Sequence, residues 1–84
     1  MQHRTTKEFR KALAALPIET RELADRCFKL LKADPKHPSL HLKKVPAGWS
    51  ARVGIHYRAL AVERPYGFLW FWIGPHGGYD TLIK

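Results

Sequence analysis

Phe68-Leu69-Trp70-Phe71-Trp72-Ile73 is apolar at every position and ends in Gly74-Pro75-His76-Gly77-Gly78-Tyr79-Asp80. An apolar run of this length, rich in aromatics and bounded by Gly and Pro, reads as a strand buried on both faces. Such a strand needs neighbours on both sides and cover above and below, so it should lie inside a sheet. Phe68, Trp70 and Trp72 fall on one face by simple alternation, and Leu69, Phe71 and Ile73 on the other. The tryptophans are expected to be structural. The Gly/Pro stretch after them reads as a loop carrying His76 and Tyr79, and Tyr79 to Lys84 as a short tail, strand or helical turn. Imidazole moves protons near neutrality, and a phenol offers a hydroxyl and a stacking face.

The rest of the chain must supply the cover. Thr5 or Thr6 is placed to cap a first helix, with Glu8 in its first turn. Phe9, Ala12, Leu13 and Leu16 form an apolar stripe at helical spacing. Pro17 separates this helix from a second over 19–32, where Leu23, Cys27, Leu30 and Leu31 face inward and Asp34-Pro35 stops the turn. The short link predicts a helical hairpin. Beyond Pro38 the period changes to strands: Leu40 to Lys43, Trp49 to Val53 and Tyr57 to Glu63, with turns at Gly54-Ile55-His56 and Arg64-Pro65-Tyr66-Gly67. Met1 to Thr6 is short and polar, and whether it forms a strand is left open by its pattern. The expectation is one α+β domain over residues 1–84. Two N-terminal helices would pack on a small twisted antiparallel sheet of three to four strands.

Charge narrows the class of partner. Fifteen Lys and Arg stand against seven acids, a net charge of +8. From Pro35 to Val62 there is no acid at all, while Lys36, Lys43, Lys44, Arg52 and Arg58 accumulate with His37, His41 and His56. A local positive field of that kind suits a polyanion or an acidic protein. A single cysteine, Cys27, forbids an internal disulfide and fits a buried inert thiol. The five histidines show no compact ligand spacing, so neither a metal nor another cofactor is expected. No apolar run reaches membrane-spanning length, and a cytoplasmic location is the expectation.

Arg52 and Arg58 flank the turn at Gly54-Ile55-His56. A hairpin there would bring their guanidiniums onto neighbouring strands, a pairing suited to phosphate. Cleavage of a phosphodiester by a 2′-hydroxyl needs a base, cations for the developing charge and an acid for the leaving oxygen. His76 suits the proton-moving tasks, Arg52 and Arg58 the phosphate, and Tyr79 a base face or an oxygen. Lys43, Lys44 and His56 are the expected contacts to flanking RNA.

Taken in order, Phe9…Leu13…Leu16-Pro17, Leu30-Leu31-Lys32-Ala33-Asp34-Pro35, Lys43-Lys44-Val45, Ser50-Ala51-Arg52-Val53, Tyr57-Arg58-Ala59-Leu60 and Trp72-Ile73-Gly74-Pro75-His76 with Tyr79 form a pattern. Over nearly the whole chain it resembles the RelE/ParE toxin superfamily of bacterial toxin–antitoxin systems. The resemblance implies one of two activities: metal-independent mRNA cleavage at the ribosome by RelE-like members, or gyrase inhibition by ParE-like ones. A catalytically inactive binding module is a third reading. It also implies a cognate antitoxin that masks the basic surface. By position, Arg58 matches the strand arginine at the scissile phosphate of RelE-like nucleases and Arg52 a nearby basic residue. His76 and Tyr79 resemble the C-terminal His and Tyr of the same sites. Lys43 and Lys44 stand where some relatives carry a Glu base, and Gly77-Gly78 separates a His and Tyr that are adjacent in some of them.

Overall fold

A computed structural model describes residues 2–83. The order of elements is β1 (Gln2–Thr5), α1 (Lys7–Ala14), α2 (Ile18–Ala33), β2 (Lys43–Val45), β3 (Gly48–Val53), β4 (Tyr57–Arg64), β5 (Gly67–Pro75) and α3 (His76–Ile83). A single 3-10 turn over Pro38–Leu40 precedes β2. The strands form one sheet in the order β1-β5-β4-β3-β2. Two helices on a three- to four-stranded antiparallel sheet is therefore corrected in three respects. The sheet has five strands and is mixed, because β1 runs parallel to β5. A strand precedes the first helix, and a third helix follows the sheet.

Strand β1, left open by the sequence pattern, is polar because it is an edge. Its hold on β5 comes from a backbone ladder running from Gln2 opposite Gly67 to Thr5 opposite Trp70. Alternation survives in its burial: Gln2 and Arg4 are exposed while His3 and Thr5 are half-buried. Thr6 then caps α1, its Oγ1 accepting from the Phe9 N–H at 3.0 Å. The residues 1 and 84, the outer ends of two segments weighed from sequence, lie outside the described residues.

β5 is an interior strand, as its all-apolar run requires. Its face assignment is corrected by a bulge. The β4–β5 register jumps between Leu60 opposite Trp72 and Ala61 opposite Trp70. Phe71 is the extra residue, so alternation breaks there. Phe68, Trp70 and Ile73 share one face with Ala51, Val53, Ala59 and Ala61, and pack on Phe9 of α1 and Leu31 of α2. Trp72 turns to the opposite face with Leu60, Ser50 and Arg58.

That opposite face is covered by α3. Two consecutive glycines read locally as a loop, yet residues 76–83 are helical. The helix is held from outside: the His76 N–H donates to the His56 carbonyl at 2.9 Å, and buried Tyr79 reaches the sheet. Glycine also permits the close approach, since a Cβ on Gly74 would stand 2.6 Å from the Trp72 ring and one on Gly78 3.2 Å away. Tertiary contact here outweighs helix propensity.

Candidate functional site

The β3–β4 hairpin turns at Gly54, whose φ of +68° few other residues adopt cheaply. The turn sets Arg52 directly opposite Arg58, and the same ladder sets Gly74 opposite Arg58 on the other side. Directly paired residues of antiparallel strands point to one face, so the two guanidiniums share the α3 side of the sheet. The ion pairs among the described residues are Lys29–Asp25 and His76–Asp80, so neither arginine has a carboxylate partner. The Arg58 Nε is buried and bonded to nothing among those residues. A desolvated guanidinium N–H without an acceptor is costly unless an anion arrives to take it.

α3 brings the remaining groups to the same place. The Arg58 guanidinium carbon lies 5.6 Å from the Tyr79 ring centroid. The His76 ring lies 5.7 Å from the same ring on its helix neighbour. Tyr79 is only 3% exposed, and its hydroxyl donates to the Ser50 Oγ at 3.2 Å. Its hydroxyl is thus tied to the sheet, and its ring lies against both the cation and the imidazole. His76 Nδ1 is 3.1 Å from Asp80 Oδ2, with both side chains about half exposed.

Of the residues singled out in the sequence, the fold gathers Arg52, Arg58, His76 and Tyr79. His56 sits in the adjoining turn, exposed, and anchors α3 through its carbonyl. Lys43 pairs with Ser50 and so extends the cationic face one strand outward, toward the β2 edge. Lys44 pairs with Trp49 and lies on the other face. Ser50 and Asp80 were not among the candidates. Ser50 alternates with Arg52 in β3, which marks its face. Asp80 is four residues after His76, a pairing visible only once that segment is helical.

The site is an open surface bordered by α3. An apolar-floored groove of about 340 Å³ lies elsewhere, between β1 and the α1–α2 pair, and none of the four gathered residues lines it. Among the described residues no three His, Cys, Asp or Glu side chains assemble as a metal-binding group. Cys27 is half-buried in α2, and burial pushes its thiol up, away from the reactive thiolate. No described helix is long and apolar enough to cross a membrane.

No protein-family model and no curated protein sequence matches the chain. By structure it is similar to a chain in the crystal structure of the RelB-RelE antitoxin-toxin complex from Methanococcus jannaschii. The TM-score is 0.73 at 15% identity, with 96% of this chain and 99% of that chain covered. At that identity the likeness shows a shared fold, spanning both chains almost end to end.

Proposed function

We propose that this chain is the toxin of a toxin–antitoxin pair and acts as a RelE-like mRNA endoribonuclease at the ribosome. One observation carries the reading: an arginine pair with no carboxylate partner, one buried N–H of it unpaired, set beside a histidine on a helix end. Two guanidinium forks match the non-bridging oxygens of a phosphodiester and hold their charge at any physiological pH. An open cationic surface also suits a polymer laid across it better than an enclosed small molecule. In this reading Arg58 and Arg52 stabilise the pentavalent phosphate and His76 moves a proton at the reacting oxygens. Lys43 lies along the same face for the flanking backbone and His56 borders it in the adjoining turn, while Lys44, on the other face, adds positive charge beyond the site. Tyr79 supports the arginine and imidazole from beneath. The partner that silences the site is an antitoxin segment carrying acids for the same cations. No cofactor enters the scheme.

A second reading rests on one position. Lys43 occupies the site face where a Glu base would serve a nuclease. That favours a non-nucleolytic toxin that poisons a protein target such as gyrase, or a binding module without catalysis. Inducible expression with primer extension on cellular mRNA, followed by cleavage assays on programmed ribosomes, separates them. Discrete cuts that vanish in Arg58→Ala support the nuclease; growth arrest without cuts supports the second reading.

A further inference from the structure

α3 carries an acid that the scheme above leaves unused. Asp80 lies one helical turn beyond His76, with Oδ2 3.1 Å from Nδ1. We propose that Asp80 is a positioning residue that holds His76 as its Nδ1–H tautomer, leaving Nε2 as the proton-accepting nitrogen. The tautomer follows from the geometry alone; its consequence for RNA rests on the nuclease reading.

The chemistry is restrictive. An ionised carboxylate only accepts hydrogen bonds, and a neutral imidazole carries one N–H and one lone pair. A contact at this distance therefore requires the proton on Nδ1. The free side chain in water favours the other tautomer, so the carboxylate changes which nitrogen is basic. The Tyr79 ring, 5.7 Å from the imidazole, limits how the ring turns. Among the described residues no hydrogen bond occupies Nε2.

The surrounding charges give Asp80 a second task. Arg58 of β4 lies over the Tyr79 ring, Arg52 of β3 is its cross-strand partner, and His56 stands in the turn whose carbonyl receives the His76 N–H. The two guanidiniums oppose a positive charge on His76. Asp80 is the acid on its own helix that offsets them. When Nε2 takes the 2′-hydroxyl proton, an imidazolium forms amid guanidiniums, and Asp80 stabilises it while staying ionised itself. The O2′–P bond forms as the P–O5′ bond breaks. O5′ takes its proton from water, and the hydroxide left behind recovers the proton held on Nε2. The products are a 2′,3′-cyclic phosphate and a 5′-hydroxyl. Carboxylates that orient metal-bound histidines typically contribute about 10- to 100-fold, and an effect of the same order is expected here.

Two readouts test the inference. Long-range proton–nitrogen NMR of His76 at mildly alkaline pH reports the tautomer directly. Steady-state cleavage on programmed ribosomes reports kcat and KM. The parent should show Nδ1–H. Asp80→Ala should revert to Nε2–H and lose about 10- to 100-fold in kcat with KM little changed. Asp80→Asn should keep Nδ1–H, because its amide oxygen still accepts, and fall between the two. The Tyr79 ring resonances verify that α3 remains docked, and the Asn variant covers the case in which Ala loosens it. A parent already in the Nε2–H form, or a docked Ala variant with an unchanged tautomer, overturns the proposal. If the parent never cleaves RNA yet the tautomer responds to Asp80→Ala, the positioning role stands and the nuclease reading falls.

Discussion

The two faces of this sheet are built by alternate residues of the same strands, yet they obey different rules. Toward α1 and α2 the strands present Ala51, Val53, Ala59, Ala61, Phe68, Trp70 and Ile73, a face closed by apolar packing. Toward α3 they present Ser50, Arg52, Arg58, Leu60 and Trp72, and the cover is a short helix held by a hydroxyl and a carbonyl. The first face spends its residues on burial, and among the described residues no buried side-chain nitrogen or oxygen there lacks a partner. The second leaves a guanidinium nitrogen desolvated and unpaired. The contrast teaches that fold and candidate chemistry occupy opposite sides of β3, β4 and β5, so substitutions should separate them.

The largest effect should come from the closed face. Trp70 is 3% exposed in the core, and truncation to Ala should destabilise the fold by about 3–5 kcal/mol, read as a lowered urea midpoint. A shift under about 1 kcal/mol would break the comparison, since it would mean that this face is not close-packed. Next in size is the open face. If the proposed nuclease reading holds, Arg58→Ala should lower cleavage on programmed ribosomes about 100- to 1,000-fold while the urea midpoint stays or rises, because an unpaired buried N–H is removed. Arg58→Lys should recover only part of the rate, lacking the fork. Equal loss of stability and activity in Arg58→Ala would show that the two faces are not separable.

A third substitution tests the cover itself. Tyr79→Phe leaves the Ser50 Oγ, in a residue at 0% exposure, without its donor. The expected cost is about 1–3 kcal/mol, and adding Ser50→Ala should restore part of it because both polar atoms are then gone. Additive losses in the double variant would show that α3 is held by apolar contact with Trp72 rather than by the hydroxyl pair.

What the sequence made legible follows the same division. The helices α1 and α2 and the interior strand β5 are readable because burial repeats with the element's period, as in Phe9 and Leu13 or Phe68 to Ile73. The pairing of Arg52 with Arg58 was readable because a short hairpin fixes its own register. Three things were not. β1 is polar, and its existence depends on a parallel partner some sixty residues away, from His3 to Phe68. The bulge at Phe71 leaves no mark in a uniformly apolar run, so Trp72 was assigned to the wrong face. α3 contradicts its own glycines and forms only because Tyr79, Ser50 and the His56 carbonyl receive it; with the helix unseen, Asp80 could not be paired with His76. Each miss is a non-local contact overriding a local signal.

The smallest effect concerns how β1 is fastened to the closed face. His3 Nδ1 accepts from the Trp70 indole N–H at 3.1 Å, and its ring sits among Phe28, Phe68 and Trp70 at 5.7–6.2 Å. An acceptor Nδ1 requires the neutral Nε2–H form. Burial first, and then the Lys32 ammonium, holds the His3 pKa below its ordinary value. Arg4 and Arg10 add positive charge along the same groove, against Asp25 of α2. With the folded pKa below the unfolded one, the unfolded chain binds the proton more readily. The contribution of His3 is therefore complete above the unfolded value of about 6.5 and is lost as the pH falls through the lower folded value. The urea midpoint of the parent should drop between neutral and mildly acidic pH, and His3→Phe should drop less over the same interval. The protection factors of the β1 amides, corrected for the intrinsic pH dependence of exchange, should fall on acidification in the parent alone. Identical pH slopes in the two proteins would mean that β1 is held by its backbone ladder and not by the histidine, and the closed face would then be closed by apolar contact throughout.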